Sequence, residues 1–420
     1  MRRTPAEAHR AAEGALPTGR TQRTARACAL VLAVTLAFIS AAGTTAGAQT
    51  FKVLYRFGPY PDGNTPLAGL LMDAAGNLYG TTRYGGSHEG CPGKWQCGTV
   101  FKLDTKGVET VLYNFTGPDG SNPTSNLIMD AKGDLYGTTE FGGDTSNCVG
   151  LSYAGCGVVF KLSGTKETVL YRFTGGADGA WPLAGVIMGA GGALYGTTNT
   201  GGAWGGGVAF KLVDKKETVL HNFCSENNCK DGTYLIAGLT MDATGNLYGT
   251  TVYGGDINCK PDPCGVVFKL TGRKETVLHA FKGSPDGAFP AAGVFMDATG
   301  NLYGTTNSGG NANAGTVFEV KANGKERVFH KFHPYSRHGY SPSTSVIVDA
   351  NGNLYGTTLD NAYEITADGK EKVLHVFCSW KDCSDGGYPR DLIMDAKGNL
   401  YGTTYGGGIN GNGVIFMITP

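Results

Sequence analysis

Charge is what this chain has least of. Asp, Glu, Lys and Arg make up only 17% of its 420 residues, against about a quarter in ordinary soluble domains. Residues 1–48 hold six Arg and two Glu, and without them 29 basic residues face 33 acidic ones. That balance weighs against nucleic acid or an anionic membrane as partner, since both need a concentrated basic surface. Metal signatures are missing too. There is no C-x2-C pair of the kind zinc sites use and no D-x-D-x-D-G calcium loop. Nor is there a nucleophile motif or a carboxylate pair outside the repeats described below, so no cofactor, metal or catalytic set is expected. Long apolar runs are limited to "ACALVLAVTLAFISAA" at 27–42, which is short for a membrane span.

That run follows an Arg-rich start and precedes "AGA" at 46–48, with small residues at the −3 and −1 positions a signal peptidase reads. Residues 1–48 are therefore expected to be a secretory signal cleaved after Ala48. No membrane span should remain, and 49–420 should be one extracytoplasmic domain, secreted or periplasmic. The ten Cys beyond the signal support that compartment. They form five local pairs, Cys91/Cys97, Cys148/Cys156, Cys224/Cys229, Cys259/Cys264 and Cys378/Cys383, which read as disulfides. Each would close a small loop and contribute only about 2 kcal/mol.

What the chain has in excess is glycine, 68 residues, and repetition. "LYGTT" occurs seven times, its Tyr at 79, 136, 195, 248, 303, 355 and 401. A period of about 54 residues carrying several short strands is the mark of a propeller. Four segments recur in each unit, exemplified by "GLLMD" (69–73), "NLYGTT" (77–82), "GTVFKL" (98–103) and "ETVLYNF" (109–115), here termed strands a, b, c and d. The a–b links, such as "DATGN", are Asp-opened turns closed by a Gly. Only unit 3, with "GAGGA" (189–193), departs.

The chain begins on a d-type strand (52–57) and ends on a c-type strand (413–419). Seven four-stranded sheets form only if the first strand completes the last sheet, the ring-closing device of a seven-bladed β-propeller. Closure also removes the open sheet edges of a linear array. The Gly of "LYGTT" is then expected to leave room for a bulky side chain of the adjacent blade. The repeated "LYGTT", the following "YGG" and "GTVFKL" resemble the GloVer tandem-repeat family of bacterial secreted proteins. The resemblance spans nearly all of 51–420 and implies an extracytoplasmic repeat protein, with no established activity or catalytic residues to carry over. Some relatives end in a C-terminal sorting segment, which is not expected here because Pro420 directly follows the last strand.

Several repeated positions look chemical. His221, His279, His330 and His375 share one place in strand d with Tyr55, Tyr113 and Tyr171. Splayed around a ring, these cannot converge on one metal. Six Met (72, 129, 188, 241, 296 and 394) occupy one place in strand a as core filler. Asp62, Asp119, Asp178, Asp231, Asp286 and Asp385 each precede Gly in the d–a loop. Asp-Gly is a turn signal, yet a ring of carboxylates for a cation or polyol is the functional alternative.

The d–a and b–c loops must open on one face and the tight turns on the other. The loop face should carry every Cys pair and all four Trp: Trp95 and Trp204 in b–c loops, Trp181 and Trp380 in d–a loops. Loops held by a rigid scaffold are where function concentrates, and aromatics beside Asp suit sugar rings. Unit 6 breaks the repeat most. Its b–c link shrinks to "LDNA" (359–362), and its preceding loop reads "HPYSRHGYSPS" (333–343). A notch is expected there, with Arg337 and His338 as first candidates for a catalytic or anion-binding pocket. The expected function is binding of a glycan or an extracellular protein through the loop face. A propeller-type lyase or hydrolase acting on polysaccharide, and a structural cell-surface protein, are the alternatives; oligomeric state is not readable. N-terminal sequencing of protein recovered outside the cytoplasm should begin at Gln49; a start at Met1 would contradict the signal assignment.

Overall fold

The computed structural model describes residues 49–59, 61–86, 97–143, 148, 155–259, 264–334 and 339–420. Within the compact unit Gly47–Pro420 the strands form seven four-stranded antiparallel sheets, with two short two-stranded ribbons among the loops. Blade 1 comprises Leu71–Met72, Leu78–Thr82, Thr99–Leu103 and Glu109–Asn114 as strands a to d. Blades 2–6 follow the same order. Blade 7 takes strands a–c from Gly387–Met394, Leu400–Gly406 and Val414–Thr419, and its strand d is Thr50–Arg56. That first strand pairs antiparallel with the last, from Thr50 opposite Thr419 to Arg56 opposite Val414. The fold is a seven-bladed β-propeller closed by its two ends. Among the described residues there is no α-helix, and no helix is long and apolar enough to cross a membrane.

Each letter of "LYGTT" has its own task. The Leu is buried in every blade. In six blades the Tyr hydroxyl donates to the Asp that opens the a–b turn, as Tyr79 does to Asp73 at 3.1 Å. The other oxygen of that Asp accepts from two turn amides, such as Ala75 and Asn77. The Gly departs from expectation. Its space is filled by strand c of its own blade, because Gly249 sits directly opposite Phe268 and a Cβ there would lie 2.7 Å from the ring. The cross-strand neighbour on a pleated sheet is closer than anything in the next blade. The Phe, lying over the Gly, then meets the Phe at the end of strand d of the preceding blade. Phe223 and Phe268 have centroids 4.9 Å apart, and the contact recurs at all seven seams, with Tyr363 in place of the strand-c Phe in blade 6.

The first Thr links blades. Thr250 donates to the carbonyl of Ala292 at 2.8 Å, in strand a's approach in the next blade. Six equivalents do the same, ending with Thr403 to Ala68 across the closing seam. The second Thr pins the b–c loop, as Thr251 does by donating to the Tyr253 carbonyl and accepting from the Val266 amide. The Gly of each Asp-Gly pair packs on this second Thr, Gly232 on Thr251 for example.

Substituting Gly249 with Ala should destabilise the domain by about 1–3 kcal/mol through overpacking against Phe268. Replacing Thr250 with Ala should cost roughly 1 kcal/mol through the lost inter-blade bond. Thermal or denaturant unfolding of each variant checks both values.

Candidate functional site

Two features break the seven-fold repeat, and they adjoin. The first is a cavity of about 190 Å³ on the loop face, lined by Ser343, Leu359, Tyr388, Pro389, Arg390 and Tyr405. It opens beside blade 6, where the b–c connection is short. Its rim is aromatic: Tyr388 is 54% exposed and Tyr405 40%, and their rings meet edge to face at 6.1 Å. This cavity adjoins the shortened b–c link through Leu359. Arg337 and His338 lie outside the described residues, so the pocket's described walls come from blades 6 and 7 instead.

The second is the central channel, a cavity of about 420 Å³ lined by the approaches to all seven a strands. Aligned on the a–b turn, one channel position reads Gly69, Asn126, Gly185, Gly238, Gly293, Ser345 and Asp391. Four glycines leave it open, and one carboxylate marks it. Asp391 accepts from the Ser345 amide at 2.9 Å and from the Asn126 side-chain amide at 3.2 Å. Asn126 in turn accepts from the Gly69 amide at 2.7 Å. A Cβ on Gly69 would lie 2.9 Å from that of Asp391, so only glycine lets Asn126 reach across. Burial holds the Asp391 carboxyl above the usual range, against the pull of Ser345, Asn126 and Arg390.

Blade 7 acquires these residues through its backbone. Asp385 precedes its turn Asp by ten residues where the Asp-Gly pairs of five other units keep eleven. Strand a pairs Pro389 with Thr404 and then Leu392 with Gly402, so Arg390 and Asp391 together oppose Thr403. Such a bulge re-aims side chains, and bulges cluster at functional sites. Sequence reasoning missed both residues because attention fell on repeated positions; the one-residue shortening was the available signal.

The residues singled out from the repeat sit elsewhere. Each Asp-Gly carboxylate turns to strand d, where Asp62, Asp119 and Asp178 accept from Tyr55, Tyr113 and Tyr171. Asp231, Asp286 and Asp385 pair with His221, His279 and His375 at 3.1–3.3 Å. Asp231 and Asp385 are fully buried, and none of the six lines the channel. Where unit 6 lacks the Asp, His330 pairs with Glu371 at 3.0 Å. The two rings of residues are thus partners within each seam.

A third member joins them. Glu109, Glu167, Glu217, Glu275 and Glu326 open strand d of the next blade, each with one oxygen buried and unpartnered. Burial, then the neighbouring Asp, pushes Glu109, Glu167, Glu217 and Glu275 up to about 7. His279, Asp286 and Glu326 bring ligand atoms within 4.8 Å of one another, a set whose chemistry suits a divalent cation. At the seam between blades 6 and 7, Phe51 takes the Glu position and stacks on His375 at 3.6 Å.

Of the Trp residues, Trp204 is 63% exposed in the b–c loop of blade 3. Trp380 is 43% exposed and lies edge-on to Phe51 at 5.5 Å. Trp181 is half-buried against Phe141 at 6.0 Å, and Trp95 lies outside the described residues. Disulfides join Cys148–Cys156, Cys224–Cys229, Cys259–Cys264 and Cys378–Cys383. All four lie in b–c or d–a loops, and they fit an extracytoplasmic location. Cys91, the expected partner of Cys97, is outside the described residues.

A family model described as the Gloeobacter/Verrucomicrobia repeat matches residues 42–153, 150–281 and 260–381. No curated protein matches the chain in sequence. Among solved structures, virginiamycin B lyase from Staphylococcus aureus is similar at TM-score 0.55 and 11% identity, covering 88% of this chain and 100% of that one. Two extracellular domains of candidate hybrid two-component systems from B. thetaiotaomicron align at TM-scores of 0.54 and 0.52, with 12% and 14% identity over 87% and 85% of this chain. The chain spans 39% of the length of each of those two. At such identities the likeness is one of fold.

The seam carboxyls carry a pH signature. A Glu whose folded pKa is raised to about 7 stabilises the fold fully below its unfolded value near 4.5, and loses that contribution as pH rises through 7. Melting temperature should fall from pH 5 to pH 8.5, by the equivalent of about 1 kcal/mol per seam after solvent screening. Glu275→Gln should flatten the profile, and an unchanged slope would contradict the assignment.

Proposed function

This chain belongs to the Gloeobacter/Verrucomicrobia repeat family, and from that footing we propose that it is an extracytoplasmic propeller that binds a glycan through its loop face. The observation that carries the reading is the aromatic-rimmed cavity between blades 6 and 7, where Tyr388 and Tyr405 stand exposed around a space lined also by Arg390. Sugar rings present flat C–H faces that stack on such side chains, while their hydroxyls seek polar groups fixed in the cleft. Arg390 and Ser343 line both the cavity and the channel, so a chain of sugars seated at the notch has a polar route towards Asp391 and Asn126. Trp204 and Trp380 extend the loop face as outlying contacts. The six Asp-Gly residues act indirectly, holding the loops on which the aromatics stand. Signal cleavage after Ala48 delivers the domain to the compartment where its disulfides form.

A narrow, concave, aromatic pocket favours a sugar over a broad protein surface, whose interfaces are flatter and larger. Screening residues 49–420 on a glycan array should return binders. Tyr388→Ala or Tyr405→Ala should weaken them roughly three- to tenfold. A silent array removes the reading, and release of shortened saccharides would make the protein an enzyme instead.

A further inference from the structure

The most unusual side chain in the cavity is Arg390. Aligned on the a–b turn, its position is Ala68, Ser125, Ala184, Ala237, Ala292 and Thr344 in the other units. The structure thus replaces a small residue by a guanidinium once in seven, on the bulge opposite Thr403. Arg390 lies over the Tyr405 ring with its guanidinium carbon 5.4 Å from the centroid. Its Nε is buried and unpartnered, and the guanidinium makes no ion pair among the described residues.

Arg390 is half-buried, with Nε shut away from solvent, so its guanidinium gains from a fixed anionic partner. Asp391 is next in sequence and attracts it, yet both oxygens of Asp391 are engaged by Ser345 and Asn126. Asp391 lines the channel but not the notch, whereas Arg390 lines both. Arg83, itself paired with Glu140 at 3.0 Å, is close enough to depress the Arg390 charge further. The planar fork of a guanidinium matches a carboxylate bidentately, and the stack on Tyr405 holds that fork in place.

We propose that the notch binds an acidic glycan, with Arg390 as the specificity-determining residue that receives the carboxylate of a uronate ring seated against the aromatic rim formed by Tyr388 and Tyr405. This rests on the glycan reading above and adds the class of sugar. Ser343 and Leu359 close the remaining walls, one polar for a hydroxyl and one apolar for the ring face.

The test is calorimetric titration of residues 49–420 with oligosaccharides of galacturonate, glucuronate and mannuronate. Their carboxyl-reduced counterparts and a sugar phosphate serve as comparison arms. Arg390→Ala restores the residue that four other units carry, so the fold should persist, and its melting curve verifies this. Arg390→Lys keeps the charge and loses the fork. At least one uronate series should bind, its reduced form at least about tenfold more weakly, and Arg390→Ala should lose roughly ten- to a hundredfold. Arg390→Lys should fall between, and binding should weaken with salt. Equal binding of acidic and reduced forms, or unchanged uronate affinity in Arg390→Ala, overturns the role of Arg390 and leaves the glycan reading standing. Binding of the sugar phosphate alone overturns the uronate assignment. No binding by any saccharide overturns both.

Discussion

Everything in this propeller depends on each blade meeting the next in the same way, and the hydroxyl of the first Thr in "LYGTT" enforces it. Seven such bonds run from strand b of one blade to the approach of strand a in the next, the last from Thr403 to Ala68. Each is modest in net terms, about 1 kcal/mol. The seven carbonyls they serve lie between blades, where losing a partner costs more than making the bond gains. The Phe–Phe contacts follow the same order around the disc, so polar and apolar seams are in register. A closed ring has no free end at which this order can fray. Pairing Thr50–Arg56 with Val414–Thr419 is what makes the seventh seam equivalent to the other six.

The scarcity of charge follows from how the outer seams are built. Between neighbouring d strands the structure buries a Tyr or His, an Asp and a Glu rather than an Arg or Lys. A Tyr hydroxyl or a His ring satisfies the Asp at short range, and burial, with the neighbouring Asp, raises Glu109, Glu167, Glu217 and Glu275 towards neutrality. The seam between blades 6 and 7 avoids the problem altogether. Phe51 replaces the Glu, stacking on His375, and burial then lowers the pKa of that imidazole against the opposing pull of Asp385. The seam to which the N-terminal strand contributes Phe51 therefore has one acid fewer to bury.

Most of the architecture was legible in the sequence because it is written seven times. Strand number, blade order, ring closure and the loop-rich face all follow from periodicity and from the odd strand at each end. The role of the "LYGTT" glycine was misassigned, since spacing along a strand does not tell a cross-strand ring from one in the next blade. The loop Asp residues and the Tyr or His of strand d read separately in the sequence, although their six- to ten-residue separation places them at opposite ends of one turn. The channel set was missed for a different reason. Asn126, Ser345 and Asp391 stand where four units have glycine, and a column of glycines looks like structural filler. Their meaning resides in the exceptions, which become chemical only when the ring brings blades 2, 6 and 7 around one axis.

A perfectly repeated disc would offer seven equal and shallow grooves, none able to distinguish one ligand from another. Two departures in neighbouring units change that. Shortening the b–c connection of blade 6 removes a wall, and blade 7, one residue shorter before its strand a, carries Arg390 and Asp391 on a bulge opposite Thr403. Either change alone would leave a gap or a strained strand. Side by side they yield a cavity with a cation at its back and aromatics at its rim. The cost of a half-buried guanidinium and of the channel carboxyl falls on one seam, while the regular blades and seven Thr bonds hold the ring. Regularity elsewhere is thus the condition for irregularity here, and in a propeller it places the specific site at the seam where repeats differ most.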